Sequence, residues 1–166
     1  MAGDVEEGQQ LIEVQDVRLR ERPMTILLIA IALAGVLLLP AFWNGYPLLQ
    51  YDTGGYLARW YEGYLVPSRS TTYGLYLHLG ERSHFWLNLG FQALVVLWIA
   101  RAMLRVLGID RLMPVAIIVI AMCATTALPF LTSMLLTDIF SGLSVLSLFL
   151  LVVHGALLPC FNSQHR

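Results

Sequence analysis

The chain has 166 residues, 58% of them hydrophobic and only 13% charged, with a mean hydropathy of +0.71. That balance excludes an ordinary soluble domain, in which about 25% of residues are charged. The net charge of −1 provides no basic stripe for nucleic acid, and all ten basic residues are arginine, which reads as compositional bias rather than function.

Residues 1–23 form a polar, acidic tail that ends in Arg18, Arg20 and Arg22. An apolar segment, Met24 to Trp43, follows. A helix of about 20 such residues crosses a bilayer core of about 30 Å. The segment exceeds a typical signal-peptide apolar region, and no small-x-small cleavage site follows it. It is expected to be an uncleaved first span.

Residues 44–84 form a long polar-aromatic loop. Tyr56, Leu57, Trp60, Tyr61, Tyr64 and Leu65 recur at helical spacing, and Pro67 and Ser68 break the pattern. Tyr73, Tyr76 and Leu77 share one side of a second stretch that runs to Arg82. Tyrosine and tryptophan at this density suit a membrane interface, so two interfacial helices are expected here.

Phe85 to Ala100 reads as a second span, with Asn88 and Gln92 one turn apart. Such amides seek a helix–helix interface or a wet cavity. Leu112 to about Leu131 is the third span. Pro114 is tolerated in its first turn, and Pro129 is expected to end or kink it. Leu136 to Val153 is the fourth, with Ser141, Gly142, Ser144 and Ser147 as small interface residues. A short tail, 154–166, closes the chain. Cys123, deep in an apolar run, reads as a packing residue, and no bridge to Cys160 in the tail is expected.

Arginine placement predicts orientation. Arg18, Arg20, Arg22, Arg101, Arg105, Arg111 and Arg166 fall on one side, and only Arg59, Arg69 and Arg82 lie in loop 44–84. Both termini are therefore expected in the cytoplasm and the loop outside the cytoplasmic membrane. The expected fold is all-α and polytopic, with about four spans and two interfacial helices. Asp52 and Asp138 then share the outer face.

Two stretches carry a family resemblance: Tyr51-Asp52-Thr53-Gly54-Gly55-Tyr56 and Ser68-Arg69-Ser70-Thr71-Thr72-Tyr73-Gly74-Leu75-Tyr76-Leu77. An acidic residue soon after the first span, followed by juxtamembrane helices, resembles the N-terminal part of GT-C-type membrane glycosyltransferases, over about residues 24–153. The resemblance implies sugar transfer from a polyprenyl-phosphate donor at the outer face. It implies Asp52 as the catalytic carboxylate, Asp138 as a supporting acid, Arg69 as a phosphate contact, and Tyr56 and Tyr73 as substrate-binding residues. Whether a divalent cation assists is left open. Those enzymes have many more spans. The shortfall, together with the tail His154-Gly155-Ala156-Leu157-Leu158-Pro159-Cys160-Phe161-Asn162, implies the front of a larger enzyme cut by a frameshift or early stop, possessing amides and serines that seek absent helices.

The residue chemistry allows plainer readings. A carboxylate can serve as a general base for an acceptor hydroxyl, but Asp-Thr-Gly-Gly is also good turn chemistry in which Asp52 caps the next helix. Arg69 can hold a phosphate or snorkel to headgroups, and Arg59 and Arg82 read as snorkelling. Asp138 can face a cavity or favour the N-terminus of the fourth helix. A metal site of His78, His84 and Asp52 is a further reading, but the two histidines are six residues apart and do not share a helical face. The rival to the enzyme is a small non-enzymatic four-span protein that binds a membrane protein partner. A transporter has less support, since paired intramembrane charges are lacking.

Overall fold

The computed structural model describes residues 23–64 and 66–154, and it bears out the all-α expectation. The elements are α1 Pro23–Leu37, α2 Leu39–Asn44, α3 Tyr51–Tyr61, α4 Thr71–Gly80, a 3-10 turn Glu81–Ser83, α5 Trp86–Val106, α6 Leu112–Thr125, α7 Leu128–Ser133 and α8 Asp138–His154. No strand occurs among the described residues, only one isolated parallel bridge between Leu48 and Met134.

Two of the apolar segments are broken. Pro40, near the start of α2, has no N–H to donate, and the helix breaks at Leu38. Pro129 stands at the start of α7 in the same way, after a break at Thr126 and Ala127. Across the break, Thr126 Oγ1 accepts the Leu128 N–H at 3.2 Å.

The two breaks are packed together. α2 lies on α7, and α1 packs on α5, α6 and α7. After each short helix the chain extends, and these extensions pair. The Leu48 N–H donates to Ser133 O at 3.0 Å, and the Leu135 N–H donates to Leu48 O at 3.0 Å. Ser133 Oγ donates to Leu37 O at 3.3 Å, at the end of α1, where a helix leaves carbonyls without intrahelical donors.

Gln92, fully buried on α5, braces the same stretch. Its Nε2 donates to the carbonyls of Leu131, Thr132 and Met134 at 3.2, 3.0 and 3.0 Å. Asn88 binds α4: its Nδ2 donates to Tyr76 O at 2.6 Å, and Tyr76 Oη donates to Asn88 O at 2.5 Å. This corrects the expectation that these amides seek helices lying outside the chain. Ser141, Ser144 and Ser147 of α8 each donate to the carbonyl four residues earlier, and Ser141 and Ser144 stay exposed on the helix surface.

One core cluster joins Leu37, Leu38 and Ala41 to Tyr56, Tyr73 and Leu77 of α3 and α4, and to Leu89, Ala93 and Val96 of α5. A second joins Leu33, Leu104, Val115, Ala116 and Val119 at the opposite end. The outward faces are also apolar: Leu27, Leu28 and Ile31 on α1, Leu87, Leu94 and Trp98 on α5, Ile117 on α6, and Val145, Leu148 and Val152 on α8 are all exposed. α5 is the one described helix long and apolar enough by itself to cross a membrane; α1, α6 and α8 are shorter apolar helices.

Candidate functional site

α3 begins at Tyr51, earlier than the aromatic spacing suggests, because a capping box starts it. Gln50 is the N-cap: its side chain accepts from the Thr53 N–H, and Thr53 Oγ1 accepts from the Gln50 N–H at 3.2 Å. Asp52 therefore does not cap the helix. It lies in the first turn, where the helix dipole also favours a carboxylate.

Released from capping, Asp52 meets Arg69. Arg69 Nη2 donates to Asp52 Oδ1 at 2.5 Å, with side chains 29% exposed for arginine and 19% for aspartate. The guanidinium carbon also stands 5.6 Å from the centre of the Tyr56 ring, within cation–π range. Three of the residues singled out in the sequence, Asp52, Tyr56 and Arg69, are thus one cluster. It spans α3 and the residue before the Ser70 cap of α4.

Close packing of α3 on α4 creates that cluster. A Cβ at Gly74 would lie 2.2 Å from the Tyr56 carbonyl oxygen, so only glycine lets α4 lie this near. Ser70 Oγ starts α4 by accepting the Tyr73 N–H at 3.3 Å. The Tyr56 and Tyr73 rings then meet edge to face, 5.0 Å between centres.

Tyr73 is buried, and its hydroxyl has no hydrogen-bond partner. Burial pushes the phenol well above its ordinary range, and Tyr76, Tyr56 and Asp138 push it the same way. Tyr73 also contacts the ring of Phe140 in α8. It therefore reads as packing between α3, α4 and α8, with a hydroxyl left over.

Asp138 is brought near but is not part of the ion pair. Thr53 Oγ1 donates to Leu135 O at 3.3 Å, and Tyr56 Oη lies 3.2 Å from Thr137 Oγ1. These contacts stitch α3 to the residues just before Asp138. Asp138 itself is exposed in the first turn of α8 and makes no ion pair with a described residue.

The histidines go elsewhere. His78 stacks on Trp60, 5.1 Å between ring centres, and its Nδ1 is 3.2 Å from Glu81 Oε2. His84 ends the 3-10 turn at φ 51°, followed by Phe85 at φ 66°. No group of three His, Cys, Asp or Glu side chains able to hold a metal exists among the described residues. Cys123 is free, and Cys160 and Leu65 lie outside the described residues.

Sequence reading missed Gln50, Thr53 and Thr137, which place the cluster. Gln50 and Thr53 form a capping box with the usual order of residue types reversed, so the common sequence signature does not pick it out. Thr137 has no local signal, because its partner is 81 residues away. Comparison with family models, with curated proteins and with solved structures gives no match for this chain.

Proposed function

We propose that this chain is a multi-span membrane protein of the GT-C glycosyltransferase kind, which handles a lipid-phosphate sugar donor at the outer face of the cytoplasmic membrane. The single observation that carries the reading is the Asp52–Arg69 pair, held between two short aromatic-rich helices. A carboxylate suits removal of the proton from an acceptor hydroxyl. A guanidinium beside it suits the donor phosphate. Tyr56 would line the donor site with Tyr73 packed behind it, and Asp138 would act from the start of α8.

Membrane residence is supported by the apolar outer faces of the long helices. α5 has spanning length. The broken pairs Pro23–Asn44 and Leu112–Ser133 each cover 22 residues, at most about 33 Å at about 1.5 Å per residue. Breaks of this kind are tolerated at membrane depth where neighbouring groups satisfy the backbone, as Ser133 does at the first break and Thr125 and Thr126 do at the second. The arginine distribution then puts both termini in the cytoplasm and the Asp52 cluster outside.

The test is transfer of a labelled sugar from a polyprenyl-phosphate carrier by the full chain in proteoliposomes. Asp52→Asn keeps a hydrogen-bond acceptor for Arg69 and is expected to lower transfer by about 10²–10⁴-fold. Transfer unchanged in that variant would remove Asp52 from the chemistry. A second reading, a non-enzymatic membrane partner, is favoured by the face of α8 turned away from α5, where Val145 and Val152 are 72% and 75% exposed. It predicts no transfer at all, and photocrosslinking from position 148 to one discrete membrane protein.

A further inference from the structure

We propose that the cleft between α3 and the start of α4 binds one oxygen of a phosphomonoester, with Arg59 as a second guanidinium beside Arg69. The proposal rests on the reading of Arg69 as the phosphate contact and extends it to a defined binding pocket. The cleft is lined by Gly55, Tyr56, Arg59, Val66, Arg69, Ser70 and Thr71, and its volume is about 10 Å³. That is room for about one oxygen-sized atom. The ligand therefore inserts a terminal oxygen and leaves its bulk at the mouth.

The lining is rich in donors. Arg69 Nη2 is committed to Asp52, but its Nε is buried with no partner. That Nε faces the cleft wall, 3.4 Å from where a Cβ on Gly55 would stand. Arg59, in the last turn of α3, makes no ion pair with a described residue. α4 runs ten residues, and its first N–H groups have no intrahelical acceptor; Ser70 Oγ takes only that of Tyr73. Against two guanidinium charges stands one carboxylate, Asp52. The site therefore carries excess positive charge, which a phosphomonoester complements through charge-assisted hydrogen bonds. Asp52 acts there as a positioning residue, holding the Arg69 fork so that Nε points inward.

Gly55 supplies a test that leaves folding intact. It lies in a helix with no positive φ, so alanine is favoured by the backbone, and its methyl group enters the cleft. Gly54→Ala is the control, because nothing lies within 4 Å of its added Cβ. Titration calorimetry on the full chain in phosphate-free detergent would use two probes, farnesyl monophosphate and inorganic phosphate. Binding of at least one probe is expected, with Gly55→Ala and Arg59→Gln each weakening it at least tenfold and Gly54→Ala leaving it unchanged. Farnesyl phosphate alone binding identifies a lipid-borne source, and both probes binding with the same variant pattern identifies the phosphoryl group itself. No binding of either probe, or equal binding by wild type, Gly55→Ala and Arg59→Gln, overturns the site. Sugar transfer is read in parallel. Binding with the expected pattern but no transfer sinks the glycosyltransferase reading alone, whereas transfer indifferent to Gly55→Ala and Arg59→Gln sinks the pocket alone.

Discussion

At the scale of single residues, two glycines decide how near the helices come. A Cβ at Gly80 would stand 1.3 Å from Asn88 Oδ1, and one at Gly74 would meet the Tyr56 carbonyl. Neither is a turn glycine with positive φ; both are contact glycines. Gly80→Ala must displace the Asn88 side chain and break its bond to Tyr76 O. The expected cost is about 1–3 kcal/mol, the usual consequence of leaving a buried polar group unpaired, read as a lower thermal midpoint in detergent. Tyr73→Phe should behave in the opposite way. The hydroxyl it removes is buried without a partner, so the change is expected to be neutral or slightly stabilising. The two phenols also set an alkaline limit. Burial raises both Tyr73 and Tyr76 above their ordinary value. Below about pH 10 both folded and unfolded phenols keep their protons and the stabilisation is complete. Above it the unfolded chain gives up protons that the folded chain holds, so stability falls with rising pH. A pH series of melting curves should show this fall weakened in the double variant Tyr73→Phe, Tyr76→Phe.

At the scale of elements, proline breaks explain why long apolar segments become pairs of helices. A break in a buried segment leaves backbone groups that need new partners. At the far end of α7, Gln92 donates to three carbonyls with one amide. Gln92→Leu keeps volume and apolar contact but strands those carbonyls. The expectation is a loss of about 2 kcal/mol, with faster hydrogen exchange at Leu48 and Leu135, whose N–H groups form the bridge beside them. If exchange at these two amides is unchanged, Gln92 is not what holds the end of α7 against Leu48. The presence of helices near residues 24–43, 85–100, 112–131 and 136–153 could be anticipated from hydropathy, because that signal is local. The position of the α1 break could not. Hydropathy runs unbroken through Pro40, and only packing of α2 on α7 shows the chain turning there.

At the scale of the whole molecule, orientation is the prediction to check. In a chain with Cys123→Ala and Cys160→Ala, a cysteine at Glu62 should react with a membrane-impermeant maleimide on intact cells. A cysteine at Asp110, in the link between α5 and α6, should react only after permeabilisation. The reverse pattern would put the Asp52–Arg69 pair on the cytoplasmic side and remove the outer-face donor reading. Part of the candidate site was legible in advance. Asp52, Tyr56, Arg69 and Tyr73 stand out as polar or aromatic residues between apolar runs. Their grouping was not legible: Asp52 read equally well as a cap, and Arg59 as a surface arginine.

Sequence alone determined that this protein is helical, strongly apolar and asymmetric in its arginines, because hydropathy, helix spacing and charge placement are properties of the residues themselves. Tertiary structure alone decided which polar groups meet: Asp52 with Arg69, Tyr56 with Thr137 across 81 residues, and Gln92 with carbonyls about 40 residues on. The reason is physical. A buried amide or carboxylate requires a partner but does not specify one, and the packing of helices determines which is in reach.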